Sequence, residues 1–339
     1  LDASGNAGIT YSGTDAWGIN AQNGSTIIVN NAQVISSGAG SILLGNNSSL
    51  TADTLTVTSA LNAAGIQLNA DSTSKAKAIL RNGSFITSQD NDAISVTNGE
   101  VEISDSGVNA SRDNANAINA VSGAKIISTG NSISTAGSNG SAVLLGETNT
   151  SLTSTNTKYK TTGSNAHAIN VKAGIAELTG DTVTTSGSGS HGLSSSGGTI
   201  AGSGVTVNIE GEGGVGAYAT TKGDVTLTGA SKVTTTVGNA TGLFADTNGT
   251  VKAASTTVLT KGNNSIAAKA DGGTVTLSEA TSLTTSSASS KGIYSTNAGA
   301  VDATGVKVTI DGSNSVAVSA DQSGNIILSD SAINTTTTG

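Results

Sequence analysis

The sequence contains no cysteine, proline or methionine, and its 339 residues include one tryptophan, two phenylalanines and four tyrosines. Without cysteine, neither a disulfide framework nor a thiolate metal site can form. A proline would remove a donor from a hydrogen-bonded ladder, so the absence of proline favours a continuous sheet. The scarcity of aromatic residues leaves material for a long, thin aliphatic core and little for a thick one.

Charge and hydropathy argue against two classes of partner. The net charge is −8 and the 15 basic residues are spread along the chain, which argues against binding to nucleic acid or to anionic lipid. No stretch approaches the roughly 18 to 20 apolar residues of a spanning helix, so we expect no direct membrane insertion. Because methionine is absent, we expect a segment excised from a longer precursor, which accounts for the missing signal peptide.

A repeat of a turn followed by a short aliphatic strand runs along the whole sequence. Between Gly24 and Gly324 there are twelve such steps, each of about 25 residues. The recognised turn glycines are Gly24, Gly99, Gly123, Gly198, Gly223, Gly249, Gly273, Gly299 and Gly324. A fixed period of this size indicates a repeat architecture and argues against disorder, because the apolar residues recur in register. Asn23, Asn98 and Asn248 precede three of these glycines, and Asn-Gly suits turn positions with positive φ.

Each period contains three short alternating segments, which is the pattern of strands with one buried face. The first segment is expected to bury residues such as Ile118 and Leu193, and the second to bury Val225 and Leu227. The third is expected to bury these residues: Leu55, Val57, Phe85, Val108, Ile133, Val183, Val205, Val207, Val233, Leu283, Val306, Val308 and Ile333. The turns between segments are too short for a crossover helix.

These observations predict an all-β fold, a right-handed parallel β-helix with three strands per rung, about 25 residues per rung and about 13 rungs. The prediction treats residues 1–339 as a single solenoid, a piece of a longer precursor. Right-handedness is the default for parallel crossovers.

Catalytic and metal-binding patterns are mostly missing. His167 and His191 lie one period apart, so they are expected to share an outward column with Ser141, Asn116 and Asp92. Two imidazoles without a closer carboxylate make a poor metal site, so we expect two exposed histidines and no metal. The acids occur as singles and the rungs have even lengths, so we expect no catalytic residues and no cofactor.

Two sets of surface residues are candidates for binding. Two basic clusters are candidate contacts for an anionic glycan: Lys75, Lys77 and Arg81, and Lys158, Lys160 and Lys172. A polar ladder beside the buried residues of the third strand is the candidate self-association face: Thr56, Asn109, Ser134, Thr184, Thr206, Thr234, Thr284 and Asn334. Both sets also fit solvated strands, in which Thr and Asn suit exposed positions.

The three-strand rungs, the Gly-Ser-Thr-Asn-Ala composition and phrases such as AINAVSGAKIISTGNSIST at residues 117–135 resemble the passenger domains of autotransporter adhesins. The resemblance is closest to the self-associating, AIDA-type group, with pertactin more distant. It implies a β-helix exported through its own C-terminal barrel, which is not included here. It also implies display on a Gram-negative cell surface, or secretion after cleavage.

The resemblance further implies a non-enzymatic adhesin that promotes autoaggregation or biofilm by binding itself on neighbouring cells. Two alternatives remain open. One is a monomeric adhesin for host extracellular matrix or glycosaminoglycans. The other is a polysaccharide-degrading β-helix enzyme, which would need a carboxylate pair on one face within about 10 Å.

Overall fold

Alternating apolar residues form short β-strands throughout the described part of the chain, which in this computed structural model comprises residues 2–12, 17–38, 40–60 and 64–336. The strands form a parallel β-solenoid with about 13 turns of roughly 25 residues, and no helix occurs among the described residues. The predicted fold class is therefore confirmed.

The chain divides into two compact units. The first comprises residues 1–166 and 173–176, and the second comprises residues 167–172 and 177–339. The strands up to residue 161 are β1 Asp2–Tyr11, β2 Trp17–Ala21, β3 Thr26–Ser36, β4 Gly40–Leu44, β5 Ser49–Ser59, β6 Ile66–Asn69, β7 Lys77–Arg81, β8 Phe85–Ser88, β9 Ile94–Thr97, β10 Glu100–Ser104, β11 Gly107–Ala110, β12 Ile118–Val121, β13 Lys125–Thr129, β14 Ser132–Thr135, β15 Val143–Leu145, β16 Ser151–Thr155 and β17 Lys158–Thr161.

The later strands belong to the second unit, except that the strand Ile175–Thr179 begins in the first unit. They are β18 Ile169–Val171, β19 Ile175–Thr179, β20 Thr182–Thr185, β21 His191–Ser195, β22 Thr199–Ser203, β23 Thr206–Ile209, β24 Val215–Ala219, β25 Asp224–Thr228, β26 Lys232–Thr235, β27 Thr241–Asp246, β28 Thr250–Ala254, β29 Thr257–Thr260, β30 Ile266–Asp271, β31 Thr274–Ser278, β32 Ser282–Thr285, β33 Lys291–Thr296, β34 Ala300–Thr304, β35 Lys307–Ile310, β36 Val316–Ala320, β37 Asn325–Ser329 and β38 Ala332–Thr335.

Within each unit, a typical turn contributes one strand to each of three faces, and strands pair in parallel with their equivalents in the next turn of that unit. In the second unit the first-strand face contains β21, β24, β27, β30, β33 and β36. The second-strand face contains β22, β25, β28, β31, β34 and β37, and the third-strand face contains β20, β23, β26, β29, β32, β35 and β38. Near the start of the chain, β3 and β5 each run through the second-strand and third-strand faces without a break.

The core is made of stacked aliphatic columns, as predicted. On the third-strand face of the second unit, Val183, Val207, Val233, Val258 and Leu283 follow one another and are fully buried. Burial of each such side chain stabilises the fold by about 1.5 to 3 kcal/mol. In the last turn, Leu328 and Ile333 are exposed because no later described turn packs on them.

Two predicted core residues were wrong: Ile333, which is exposed in the last turn, and Phe85. Phe85 points outward and is 48% exposed, whereas the next residue, Ile86, is fully buried. The register explains the error, because Ile86 pairs with Val57 and Val108, which are both buried. A shift of one residue in a strand exchanges its two faces.

The Asn-Gly turns use both residues, for different reasons. Asn23, Asn98 and Asn248 have positive φ values of 54°, 51° and 62°, which confirms the predicted turn role. At Gly99 the φ angle is ordinary, but a Cβ atom there would lie 2.8 Å from Cδ2 of Leu68. At this turn the glycine is therefore required by the close approach of Leu68, while the asparagine accommodates the left-handed backbone.

A buried column of threonines predicts an unusual response to substitution. Thr235, Thr260 and Thr285 are fully buried in register, and their hydroxyl groups have no hydrogen-bond partner among the described residues. By contrast, Oγ1 of the equally buried Thr281 lies 2.7 Å from the carbonyl oxygen of Ser278 and accepts from the backbone N–H of Thr256. An unpartnered buried hydroxyl costs stability, whereas a bonded one contributes to it.

We expect Thr260→Val to leave the free energy of unfolding unchanged or to raise it by up to about 1 kcal/mol. The matched control Thr281→Val should lower it by about 1 to 3 kcal/mol, because the carbonyl of Ser278 and the N–H of Thr256 then lose their hydrogen-bond partner. Urea unfolding followed by circular dichroism measures both. Equal destabilisation by the two variants would contradict this assignment.

Candidate functional site

The second unit brings part of the predicted self-association face into one outward column on its third-strand face. Parallel pairing places Thr184, Thr234, Thr284 and Asn334 in this column. Its complete sequence, called here the polar column, is Thr184, Asn208, Thr234, Leu259, Thr284, Thr309 and Asn334. None of these side chains is charged. Thr234 is buried, with 8% of its surface exposed.

Two residues predicted for this ladder lie elsewhere. Thr206 pairs with Thr182 and Lys232, so it occupies the neighbouring outward column. In the first unit, Thr56 pairs with Phe85, whereas Asn109 pairs with Thr87, so Thr56 and Asn109 lie in different columns. Both shifts are of two residues along the strand, which keeps the side chain outward but moves it to another column.

Asn109 and Ser134 do lie together in the first unit. They are paired across β11 and β14, and Oγ of Ser134 donates a hydrogen bond of 3.0 Å to Oδ1 of Asn109. The next residue in that column is Lys160. The ladder of short polar side chains in the first unit is therefore interrupted by a cation.

In the first predicted basic cluster, Lys77 is paired with neighbouring acids. Nζ of Lys77 lies 2.8 Å from Oε1 of Glu100 and 2.6 Å from Oε1 of Glu102, and these carboxylates raise the pKa of the lysine. Arg81 pairs in register with Asp53. Nζ of Lys75 lies 3.5 Å from the carbonyl oxygen of Gly123. The surface around Lys77 therefore has mixed charge.

The second basic cluster is divided between the two units. Lys158 and Lys160 lie two residues apart on β17 of the first unit, and both side chains are exposed. Lys172 belongs to the second unit, where it follows β18.

His167 and His191 are neighbours in the second unit, as the spacing of one period predicted. Their rings are stacked, with centroids 4.6 Å apart and an interplanar angle of 13°. The backbone N–H of His191 donates to Nδ1 of His167 at 3.0 Å. Nδ1 of His191 is buried and has no hydrogen-bond partner among the described residues.

The expectation of two exposed histidines was wrong. Burial, and then the positive charge of Lys172, lower the pKa of His167 to about 4. Burial, and then repulsion from His167, lower the pKa of His191 to about 3. Both rings are therefore neutral at physiological pH. Their stacked planes aim the ring nitrogens along parallel directions, which does not suit a shared metal ion.

The other residues expected in the histidine column are buried in the first unit. Asp92 is 8% exposed, Asn116 is 7% exposed and Ser141 is 2% exposed. Oδ1 of Asp92 accepts from the backbone N–H of Asn116, and Oδ1 of Asn116 accepts from the backbone N–H of Ser141. The side chains of Asp92 and Asn116 therefore satisfy backbone donors of the next turn, a role that His167 fills in the second unit.

A column of aromatic residues on the first-strand face of the second unit was not found from the sequence. It consists of Tyr218, Phe244, Lys269 and Tyr294 in successive turns, and is called here the aromatic column. The rings of Tyr218 and Phe244 are 5.3 Å apart, and the ring of His191 lies 4.7 Å from that of Tyr218. Nζ of Lys269 lies 4.4 Å from the centroid of Phe244. Such ring and cation contacts each contribute about 0.5 to 1.5 kcal/mol.

Carboxylates flank the aromatic column. Tyr218 donates to Oδ2 of Asp246 at 2.9 Å, and Nζ of Lys269 lies 2.8 Å from Oδ2 of Asp271. Tyr294 donates to Oδ2 of Asp321 at 2.8 Å. Burial, and then the bond to Asp246, raise the pKa of Tyr218 to about 12, so its phenol remains a donor at physiological pH.

The acids in this region do not occur as singles. Asp246 and Asp271 pair in register on adjacent strands, about 4.8 Å apart along the backbone. Glycoside hydrolysis uses two neighbouring carboxyl groups, of which the general acid needs a raised pKa. The hydrogen bond from Lys269 lowers the pKa of Asp271. Asp271 is therefore ionised and cannot be the proton donor at neutral pH.

Neither a metal cluster nor a membrane helix is found in the parts that the structure describes. No group of three or more His, Cys, Asp or Glu side chains there converges on a point. No helix there is long and apolar enough to cross a bilayer.

The solenoid geometry is matched by a known structure. The chain resembles Vag8 in the structure titled "The cryo-EM structure of the Vag8-C1 inhibitor complex", with a TM-score of 0.55 and 19% sequence identity. The match covers 96% of this chain and 74% of that one. Vag8 is an autotransporter passenger domain. The chain therefore shares the β-helix fold of that passenger domain. No protein-family model and no curated protein matches the sequence.

The stacked histidines predict a pH dependence of stability. Both folded pKa values lie below the ordinary 6.5, so the unfolded state binds more protons between pH 6.5 and about 4. Stability is therefore complete above pH 6.5 and falls as the pH drops through this window, by about 1.4 kcal/mol per unit of pKa shift.

We expect the thermal midpoint of the protein to fall between pH 7 and pH 5, and the double variant His167→Asn, His191→Asn to show a flatter profile. The chain has two histidines, so few other side chains titrate in this window. Asparagine retains an acceptor, as Asn116 does in the first unit. Parallel profiles for the two proteins would contradict the assignment.

Proposed function

We propose that the chain is the passenger of a bacterial autotransporter and acts as a non-catalytic adhesin on the cell surface, or after release from it. Two findings support the proposal. One is the β-helix fold shared with a passenger domain, and the other is the even length of the turns, which leaves long side faces instead of an enclosed catalytic cleft.

The adhesin binds a second copy of itself on a neighbouring cell through the polar column. The observation that carries this proposal is the register of that column, in which seven uncharged side chains follow one another over successive turns. A net charge of −8 would oppose contact between like surfaces. An uncharged strip keeps that repulsion away from the line of contact.

The energetics require many weak contacts rather than one strong site. A hydrogen bond between Thr or Asn side chains contributes about 1 kcal/mol or less in water. Repetition at strand spacing lets such contacts form together, and display of many copies on a cell adds their effects through multivalency. Self-association of this kind is weak in solution and strong between cells.

Cell clumping tests the polar column. We expect a non-aggregating bacterium that displays the full passenger to clump without added ligand. The triple variant Thr184→Lys, Thr284→Lys, Thr309→Lys should reduce clumping at least tenfold, because like charges and long side chains would then meet across the contact. Sedimentation of the cell suspension measures this effect.

The matched control carries the same three charges on the second-strand face: Thr226→Lys, Thr250→Lys and Thr276→Lys. These side chains are also partly exposed. The control should clump like the parent. Clumping that survives the triple variant in the polar column, or is lost equally in the control, would exclude this column as the contact.

A second candidate function is binding to a host protein through the aromatic column. Two observations favour it: the structural neighbour Vag8 is in complex with C1 inhibitor, and partly exposed aromatic residues are common at the energetic centre of protein interfaces. Tyr218, Phe244 and Tyr294 are all partly exposed on one face. Their arrangement offers both apolar area and hydrogen-bonding groups.

Purified C1 inhibitor is the probe for this second function. If the aromatic column binds it, immobilised passenger should retain C1 inhibitor in biolayer interferometry, and Phe244→Ser should weaken the binding at least tenfold. Leu259→Ser, an outward residue of the polar column, is the matched control. An absence of binding to the parent protein would remove C1 inhibitor as a partner.

A further inference from the structure

The third-strand face of the first unit contains a groove, and none of its lining residues belongs to the polar column or the aromatic column. Its volume is about 490 Å³. Phe85 lies at one end and Lys158 at the other, and the small residues Gly107 and Ser132 lie between them. The volume falls within the range of small-molecule sites, roughly 300 to 1,000 Å³.

Phe85 is the first feature that suits the groove to ligand binding. Its ring is 48% exposed, although a phenylalanine is among the most costly side chains to leave in water. The strand register does not require an apolar residue at this outward position. The equivalent residues in other turns are Thr56, Gly107, Ser132 and Lys158. A polar residue at position 85 would serve the fold equally well.

The ring of Phe85 lies against Gly107. Its Cε2 atom would lie 2.7 Å from a Cβ atom built on Gly107, and Cδ2 would lie closer still. The backbone of Gly107 has no positive φ angle, so the conformation does not demand glycine there. The missing side chain is therefore what allows the ring to lie across the floor of the groove.

The floor itself is rigid. The backbone N–H of Gly107 donates to the carbonyl of Ser84, and that of Ser132 donates to the carbonyl of Ser106, at 2.8 and 2.9 Å. Beneath them, the buried amide of Asn131 accepts from the backbone N–H of Ser106 and donates to the carbonyl of Ile103. A pre-formed floor lowers the entropy cost of binding.

The polar groups of the rim have free bonding capacity. Asp105 and Lys158 form none of the ion pairs found among the described residues, in contrast to Lys77, Lys125 and Lys252. Asp105, Asn156 and Lys158 are all exposed at the groove. The rim thus presents a carboxylate acceptor, an ammonium donor and an amide that does both.

We propose that this groove binds a single unit of a neutral saccharide. The apolar C–H face of a pyranose would lie on the exposed ring of Phe85. Its hydroxyl groups would donate to Asp105 and accept from Lys158, with Asn156 bonding in either direction. One carboxylate and one ammonium group leave the rim with no net charge, which favours a neutral sugar over a sulfated or otherwise anionic one.

The proposal does not depend on self-association or on C1 inhibitor, because it concerns the first unit. Clumping of cells that display Phe85→Ala should therefore equal that of the parent. This separates a failure of the saccharide site from a failure of the proposed adhesive function.

Titration with methyl β-glycosides of glucose, galactose and N-acetylglucosamine tests the groove. Chemical shifts of the ¹⁵N-labelled protein are recorded by nuclear magnetic resonance. We expect at least one glycoside to shift the amide resonances of Gly107 and Ser132, with a dissociation constant of about 1 mM or below. Phe85→Ala should weaken binding at least tenfold without changing the thermal midpoint, because Ile86 carries the packing of that strand.

Two further variants make the result specific. Gly107→Ala keeps Phe85 but displaces its ring, and it should weaken binding as Phe85→Ala does. Ile28→Ala removes another exposed apolar side chain of the first unit, 40% exposed, and should bind like the parent. If no glycoside shifts the groove resonances, or if Phe85→Ala binds with unchanged affinity, the groove is not a saccharide site.

Discussion

The pairing of each strand with its equivalent in the next turn is the interaction on which the rest of the structure depends. In the second unit, Val183, Val207, Val233 and Val258 follow one another once per turn, and all are fully buried. The hydrogen-bonded ladder fixes the spacing of turns at about 4.8 Å, so equivalent side chains must touch. Turn residues that permit close approach, such as Gly99, are consequences of this spacing.

The same constraint gives the surface its chemistry. A side chain acquires its neighbours from the turns before and after it, and not from its own segment of sequence. Tyr218 and Phe244 form one contact because they occupy equivalent positions in successive turns, and Asp246 and Asp271 form a carboxylate pair in the same way. The uncharged polar column, the aromatic column and the groove at Phe85 are three different outcomes of one rule.

The sequence predicted the fold, the period and most of the core, because a buried column repeats the same kind of residue and can be counted. It did not predict which outward residues share a column, since the length of the turns varies slightly and each variation shifts the register of the strands that follow. Thr206 and Phe85 were misplaced for this reason. The aromatic column was not predicted because it mixes Tyr, Phe and Lys. Its members can be aligned only by counting the residues from one turn to the equivalent position of the next.

Deletion of one complete turn tests the stacking register most directly. Removal of residues 249–272 joins Asn248 to Gly273 and restores the sequence Asn-Gly-Thr-Val that the intact chain has at residues 248–251. The account predicts that this variant folds cooperatively, with a β-sheet circular dichroism spectrum and a thermal midpoint close to that of the parent. Removal of half a turn, residues 249–260, should prevent folding of the following turns. Failure of the full-turn deletion to fold, or equal stability of the two deletions, would contradict the account.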